Sequence, residues 1–444
     1  MQRIEIHNFG PIKDATIEIP KFLLLIGEQA SGKSTVAKLI YFFKSLQAGF
    51  VNNILLTPAS KSFSSKNNFE NPSKVDFLRY FGSPAPLDNY HITYYYTEKN
   101  YITIKWEKPL FSLSLSPDFF SQSFKKRLRS IRKKYQDTLK SSLSVFNSPE
   151  YAKEISDLTN DCFGLFEGDL FYIVADRSST VSFGHLFERV FSRGLENSLF
   201  HNSKKRIQTI EEILLMQFLD RVALLKDYFE KSNMTKQENP FIKWIFQNMS
   251  EILKGNYTLQ YGNERITWGD KSGNSVYLRN ASSGQQEVIR ILQDIVWVVQ
   301  HDGKSSRIVE EPESHLFPLA QKKLIELLSA MIKGGKDNSL IITTHSPYIL
   351  SSINNLLFAH QVSIRFPELQ ESIQKITNQY AWINPRDFRA YALLKKDRKV
   401  NCQSILDTQT GMIAQNYLDS VSEELSTEFN QIYKLFLSKL KENK

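Results

Sequence analysis

The stretch FLLLIGEQASGKSTVAKLIYFF, residues 22–43, constrains this chain more than any other. Its unbroken apolar run, FLLLI, reads as a strand buried on both faces, since a half-exposed strand would alternate apolar with polar. Gly27-x-x-x-x-Gly32-Lys33-Ser34 follows at once and matches the phosphate-loop pattern. Apolar residues then recur at helical spacing. In such a strand–loop–helix unit, backbone N–H groups of Gln29, Ala30, Ser31 and Gly32 and the helix N-terminus face phosphates. Lys33 would reach the β- and γ-phosphates, Ser34 would sit on Mg²⁺, and Thr35 would follow in the first turn. A Gly/Ser-rich turn could share this composition. The buried strand before it and the helix after it favour a nucleotide site with Mg²⁺.

The rest of the chain reads as alternating strands and helices around a helical middle, the pattern of an α/β core with an insertion. RIEIHNF and ATIEIP alternate with period two, and YHITYYYTEKNYITIKW (90–106) reads as a hairpin turning at TEKN. Amphipathic helical patterns flank an apolar strand, LFYIVADRSS (170–179). A second hairpin pattern, YTLQYGNERITWGDKSGNSVYL, precedes a helix, a short strand, another helix and the strand SLIITTHS. Four parts are expected: 1–120, the N-terminal core with the loop and a β-subdomain; 121–265, a mostly helical insertion with one core strand near 170–177; 266–365, the second part of the core; and 366–444, a helical region.

Composition excludes several classes. Apolar residues make up 41% and charged residues 23% of 444, ordinary globular usage. The net charge of +9 permits an anionic partner without requiring one. The two cysteines, Cys162 and Cys402, are too far apart in sequence for paired metal spacing and do not form a disulfide framework, which fits a reducing cytoplasm. No apolar run is long enough to span a bilayer, and the start lacks the apolar stretch of a signal peptide. A soluble cytoplasmic protein with no membrane partner is expected.

Three further stretches carry chemistry. RIVEEPESHLFP (307–318) gathers Glu310, Glu311, Glu313 and His315 around Pro312. A helical zinc pair of Glu311 and His315 fails because Pro312 disfavours a helical Glu311. Glu310 and Glu311 instead end a strand, where alternation would send one toward Mg²⁺ and the other toward the attacking water. NASSGQQEVIRIL sets Ser282, Ser283, Gly284, Gln285 and Gln286 at a helix start, either a second anion-facing surface or a plain N-cap with Ser283 capping. SLIITTHSPYIL places His345 directly after a buried strand.

Taken in order, the phosphate loop, SSGQQ, EEPE and TTHSP resemble the ABC-type ATPase heads of the SMC, RecF and OLD families. The chain is most similar to standalone AAA-type ATPases of bacterial anti-phage systems such as PARIS, Septu and retron loci. IEIHNFGPIKDATIEI looks like their opening hairpin, YIVADRSS like a strand-plus-arginine motif, and the tail from INPRDFRAYAL onward is also similar. The likeness is weak between about 45 and 165. It implies a P-loop fold of ABC-head type, a mixed sheet with an antiparallel β-subdomain, and a homodimer, or a larger assembly, that sandwiches ATP. ATP on Gly27–Thr35 of one subunit would be covered by Ser283 and Gly284 of the other, with Gln285 and Gln286 orienting that segment. Lys33 and Ser34 would hold phosphate and metal, Glu310 the metal's water shell, and Glu311 the attacking water. His345 would sense the γ-phosphate, and Glu313 and His315 would lie in a loop at the dimer seam. Arg177 is a weaker candidate for a phosphate or subunit contact, with a surface salt bridge as the alternative.

The sequence departs from this pattern in two places. Only Ile308 and Val309 are apolar before the carboxylates, so that strand is expected to be short or shifted. Gln29 stands where asparagine is common. No D-x-D pair or zinc pattern occurs, so a nuclease activity, if the system has one, is expected in a separate effector protein. The run KKRLRSIRKK (125–134) holds seven Lys/Arg in ten positions and reads as a solvated helix or as a sequence-blind DNA contact. Expectations therefore run from a defence sensor or scaffold, through a RecF-like DNA-clamping ATPase, to a scaffold that binds nucleotide without turnover.

Overall fold

The protein is described by a computed structural model over residues 1–57, 62–82, 88–135, 149–164, 168–182, 209–231, 239–269, 274–301, 303–335, 337–396 and 399–414. The opening hairpin is β1 (Gln2–Phe9) and β2 (Ile12–Ile19), and the apolar run is β3 (Phe22–Gly27). Helix α1 (Lys33–Leu56) follows the loop, and α2 (Asn71–Phe81) follows α1. The expected hairpin is β4 (Tyr90–Tyr95) and β5 (Tyr101–Glu107), extended by β6 (Leu110–Leu115). Next come α3 (Gln122–Lys134), α4 (Pro149–Phe163), β7 (Asp169–Ile173), the short α5 (Ser178–Ser182), α6 (Ile210–Lys231) and α7 (Pro240–Leu253).

A small separate sheet holds β8 (Asn256–Gln260), β9 (Asn263–Thr267) and β10 (Ser275–Tyr277). The chain continues through α8 (Ser283–Gln300), β11 (Ser305–Glu310), α9 (Pro318–Lys333), β12 (Ser339–Thr344), α10 (Pro347–Arg365) and α11 (Gln370–Ile376). Strands β13 (Phe388–Lys396) and β14 (Lys399–Ser404) end the regular structure.

Eleven of these strands form one mixed sheet in the order β6-β5-β4-β1-β2-β14-β13-β3-β12-β11-β7. The pairs β13–β3, β3–β12, β12–β11 and β11–β7 are parallel, while β1, β2, β4, β5 and β6 pair antiparallel. Alternation along the parallel strands divides the interior between two faces. Leu23, Leu25, Ile308 and Ile341 join one core; Phe22, Leu24, Val309, Leu340 and Ile342 join the other. By length and composition α1 could cross a membrane. Its Val36, Leu39, Ile40, Phe42 and Phe43 are buried in the first core, which accounts for that composition.

Two expectations fail here. The acidic strand is neither short nor shifted: β11 has six residues, all buried, paired on both sides. Polar groups complete it where apolar ones were missing. Arg307 is fully buried and ion-paired with Asp294 and Asp169, and Ser306 shares a 2.7 Å hydrogen bond with Ser339. The region after 366 is not simply helical either. Phe388, Ala390, Tyr391, Ala392, Leu393 and Val400 are buried in two strands placed between β3 and β2. Residues 415–444, which hold much of the expected C-terminal helical material, lie outside the described residues.

Candidate functional site

Parallel pairing brings the sequence motifs together. Ile26 is in register with Thr344, and Glu310 with Thr343, so the phosphate loop, His345 and the acidic turn leave the sheet along one edge. The carboxyl ends of parallel strands are where α/β sheets bind ligands.

The loop is shaped for backbone donors. Ala30 and Gly32 have φ of 60° and 89°, and Gly32 caps α1 without any side-chain hydrogen bond. The N–H groups of the first turn are thus left for a ligand, at the positive end of a 24-residue helix. Lys33 is buried and donates to the Gly27 and Glu28 carbonyls, each at 2.8 Å. Burial pulls its ammonium below the usual lysine range, against the opposing pull of Glu311, then Glu313 and Glu310. Gln29 and Ala30 are exposed, Ser34 and Thr35 half-buried, and the buried Ser31 hydroxyl lacks a partner among the described residues. Gly27 is required for a reason the motif does not state. A Cβ there would lie 2.6 Å from the Leu393 carbonyl oxygen of β13.

Glu310 is buried with its Oε1 lacking a hydrogen-bond partner among the described residues. Burial first and the Glu310 carboxylate second hold the neighbouring Tyr172 phenol protonated far above its ordinary range. Glu311 does not continue the strand. Its φ of 41° places it in the left-handed region, so the turn, not strand alternation, separates the two carboxylates. Such a residue costs about 1–3 kcal/mol and persists where its surroundings over-determine it. Here Glu311 N–H donates to the Thr343 carbonyl at 2.9 Å, and the Glu311 carbonyl accepts from Ser314 N–H at 3.1 Å and its Oγ at 2.9 Å.

The third carboxylate, Glu313, falls in the turn after β11 as expected and is buried there, bracing the end of β12. Its Oε1 accepts from the Thr344 hydroxyl at 2.6 Å and from His345 N–H at 2.9 Å. The His345 ring is more than half exposed, with Nδ1 3.4 Å from Glu313 and 3.8 Å from Glu311. His315 is exposed, with φ 57°.

At the start of α8 the cap is Ser282, not Ser283. Ser282 and Gln285 form a reciprocal capping box. Gln285 and Gln286 point inward, to the carbonyls of Leu253 and of Arg279 and Ala281. Ser283 is left exposed on the helix N-terminus. Gly284 is buried, and a Cβ there would meet the His315 carbonyl oxygen at 2.5 Å, so the helix start packs directly on the acidic turn.

Arg177 is neither a surface salt bridge nor placed for a phosphate. It is fully buried and donates to the carbonyls of Glu310 (2.6 Å), Glu311 (3.0 Å) and Val174 (2.8 Å). It also pairs with Glu287 of α8. No periodicity marks Arg177, Glu287, Glu313 or Thr344 as site residues, because their partners are distant in sequence.

The protein-family model of the AAA ATPase domain matches residues 1–350. The chain belongs to this family. Its fold is that of a P-loop ATPase, and both the mixed sheet and the antiparallel strands expected of an ABC-type head are present. The family match covers the loop, α8, the acidic turn and His345, and stops before β13 and β14.

Among solved structures, an SMC head bound to the C-terminal winged-helix domain of ScpA is 11% identical, with TM-score 0.38. The match covers 92% of this chain and 97% of that chain. The SMC head domain from Thermotoga maritima is 10% identical, with TM-score 0.39, over 91% and 98% of the two chains. A Pyrococcus furiosus SMC head bound to the C-terminal domain of ScpA is 11% identical, with TM-score 0.35, over 96% and 100%. No curated protein matches the chain.

Proposed function

We propose that this AAA ATPase binds ATP with Mg²⁺ and hydrolyses it at the edge formed by β3, β12 and β11. The observation that carries the reading is the buried Glu310 carboxylate, with an oxygen left without a hydrogen-bond partner among the described residues, whose charge reaches the phosphate-loop lysine. That oxygen and the Ser34 hydroxyl are hard donors suited to a metal delivered with the nucleotide. Mg²⁺ would supply charge compensation on the phosphates. Lys33 would exchange its two loop carbonyls for phosphate oxygens. Glu311, partly exposed and fixed in its turn, would orient the attacking water, and the exposed His345 ring would meet the γ-phosphate from the neighbouring strand end.

The exposed Ser283 at the start of α8, not used in its capping box, supports the second part of the reading, that another copy's nucleotide is covered there in a homodimer or larger assembly. Control of a separate effector, such as a nuclease, in a cytoplasmic anti-phage system rests on the family resemblance. DNA clamping draws less support from the structure. Of the basic residues on α3, Arg132 is buried toward Ile54, Arg127 faces Asp161 and Lys134 faces Glu154, which leaves a thinner field than the sequence suggests.

Glu311→Gln tests the chemistry. The variant should bind a fluorescent ATP analogue like the wild type, lose phosphate release by about 10²-fold or more, and accumulate as an ATP-bound dimer in light scattering. Wild-type protein without measurable turnover, or a variant that turns over at the wild-type rate, would overturn the hydrolytic assignment.

A further inference from the structure

The guanidinium of Arg177 occupies the junction between two parts of the site that the sequence presents as separate. One is the acidic turn, and the other is the helix α8 that carries Ser283 and Gly284. Nη1 and Nη2 of Arg177 reach the Glu310 and Glu311 carbonyls at 2.6 and 3.0 Å. Nε donates to the Glu287 carbonyl at 3.2 Å and lies at the same distance from the Glu287 carboxylate. The same carboxylate accepts the backbone N–H groups of Arg177 and Ser178, both at 3.2 Å. Arg177 and Glu287 are both buried, so no water competes for these bonds.

We infer that Arg177 is a positioning residue for hydrolysis: it holds the left-handed Glu311 in place and makes the acidic turn and the start of α8 move as one body. Glu311 cannot relax to an ordinary strand conformation while its carbonyl is held by Arg177 and Ser314 and its N–H by Thr343. The planar fork of arginine is suited to several carbonyls at once, and the point charge of lysine is not. Through Glu287 the same fork grips α8 four residues after Ser283. A partner's nucleotide seated on Ser283 would therefore pull on the carboxylate that serves this chain's own nucleotide. Arg177 makes no contact with the phosphate loop among its hydrogen bonds, so ATP affinity should not depend on it.

This inference rests on the hydrolytic reading above, and its test separates the two. Arg177→Lys and Glu287→Gln are compared with wild type by circular dichroism, by affinity for a fluorescent ATP analogue, and by steady-state phosphate release. The expected result for each folded variant is a KM and analogue affinity within about twofold of wild type and a kcat lowered at least tenfold. The cooperativity of the wild-type rate in ATP, where present, should fall toward a Hill coefficient of one. A folded variant that keeps kcat within about threefold, or that loses kcat only in step with nucleotide binding, would refute the positioning role. If Arg177→Lys does not fold, Glu287→Gln decides, because it keeps the guanidinium but removes the charged anchor that fixes Arg177 and its backbone to α8. Absence of turnover in the wild type would instead sink the hydrolytic reading itself.

Discussion

Glu313 is the carboxylate that the sequence gives no part in the chemistry, and its removal gives a measurable penalty. One oxygen accepts two hydrogen bonds, from the Thr344 hydroxyl at 2.6 Å and from His345 N–H at 2.9 Å, in a buried setting. Bonds to a charged acceptor contribute about 1.5–3 kcal/mol each, and neutral ones about 0.5–1.5 kcal/mol. Glu313→Gln keeps an acceptor and loses the charge, about 1 kcal/mol per bond and so about 2 kcal/mol in total. Glu313→Ala also strands the His345 N–H, which raises the cost to about 3–5 kcal/mol. The midpoint of urea unfolding, followed by circular dichroism, should fall in that order.

His345 depends on this brace for its backbone position, so turnover should follow. If half of the Gln penalty is felt in the transition state, about 1 kcal/mol, kcat falls roughly fivefold at unchanged ATP affinity. A Glu313→Gln protein with wild-type midpoint and wild-type kcat would refute the brace. Loss of ATP affinity with kcat preserved would refute its link to His345.

Two further outcomes follow from the same reasoning. Ser282→Ala removes the capping box of α8 and should lower the unfolding free energy by about 1 kcal/mol, while Ser283→Ala, exposed and not capping, should leave it unchanged. Burial would raise the Glu264 carboxyl, but the buried Arg290 guanidinium overrides it and holds it at about 2. A depressed folded pKa gives stability that is present above the unfolded value near 4.5 and lost as pH falls toward 2. Acid titration of the unfolding free energy should show about 3 kcal/mol of loss across that window, and Glu264→Gln should flatten it.

What was legible in the sequence was local. The phosphate loop, the hairpin at TEKN and the helix after SSGQQ each carry their signal within a few residues, and each forms where the pattern places it. The failures share a different cause. Glu311 leaves the strand because Arg177, 134 positions away, and Thr343 hold its peptide, and no alternation rule contains that information. β11 looked too polar because the partners of Arg307 come from α8 and β7. Glu313 resembles any acidic turn residue until Thr344 is brought beside it by the β11–β12 register. In each case a polar group is buried by virtue of a partner remote in sequence, and periodicity reads apolar burial only.

The hairpin of β13 and β14 has a consequence for when the protein becomes competent. Among the described residues it is the link in the large sheet between the antiparallel strands and the parallel ones, because β2 meets β14 and β3 meets β13. The Leu393 carbonyl also lies against the first glycine of the phosphate loop. A nascent chain has made its loop, α8 and acidic turn by residue 350, yet β3 is still open along one side until residues 388–404 arrive. Such non-local pairing is slow to form and exposes a strand edge while it is missing. In chain order, the motifs of the candidate site therefore precede the two strands, at 388–404, that cover the open side of β3.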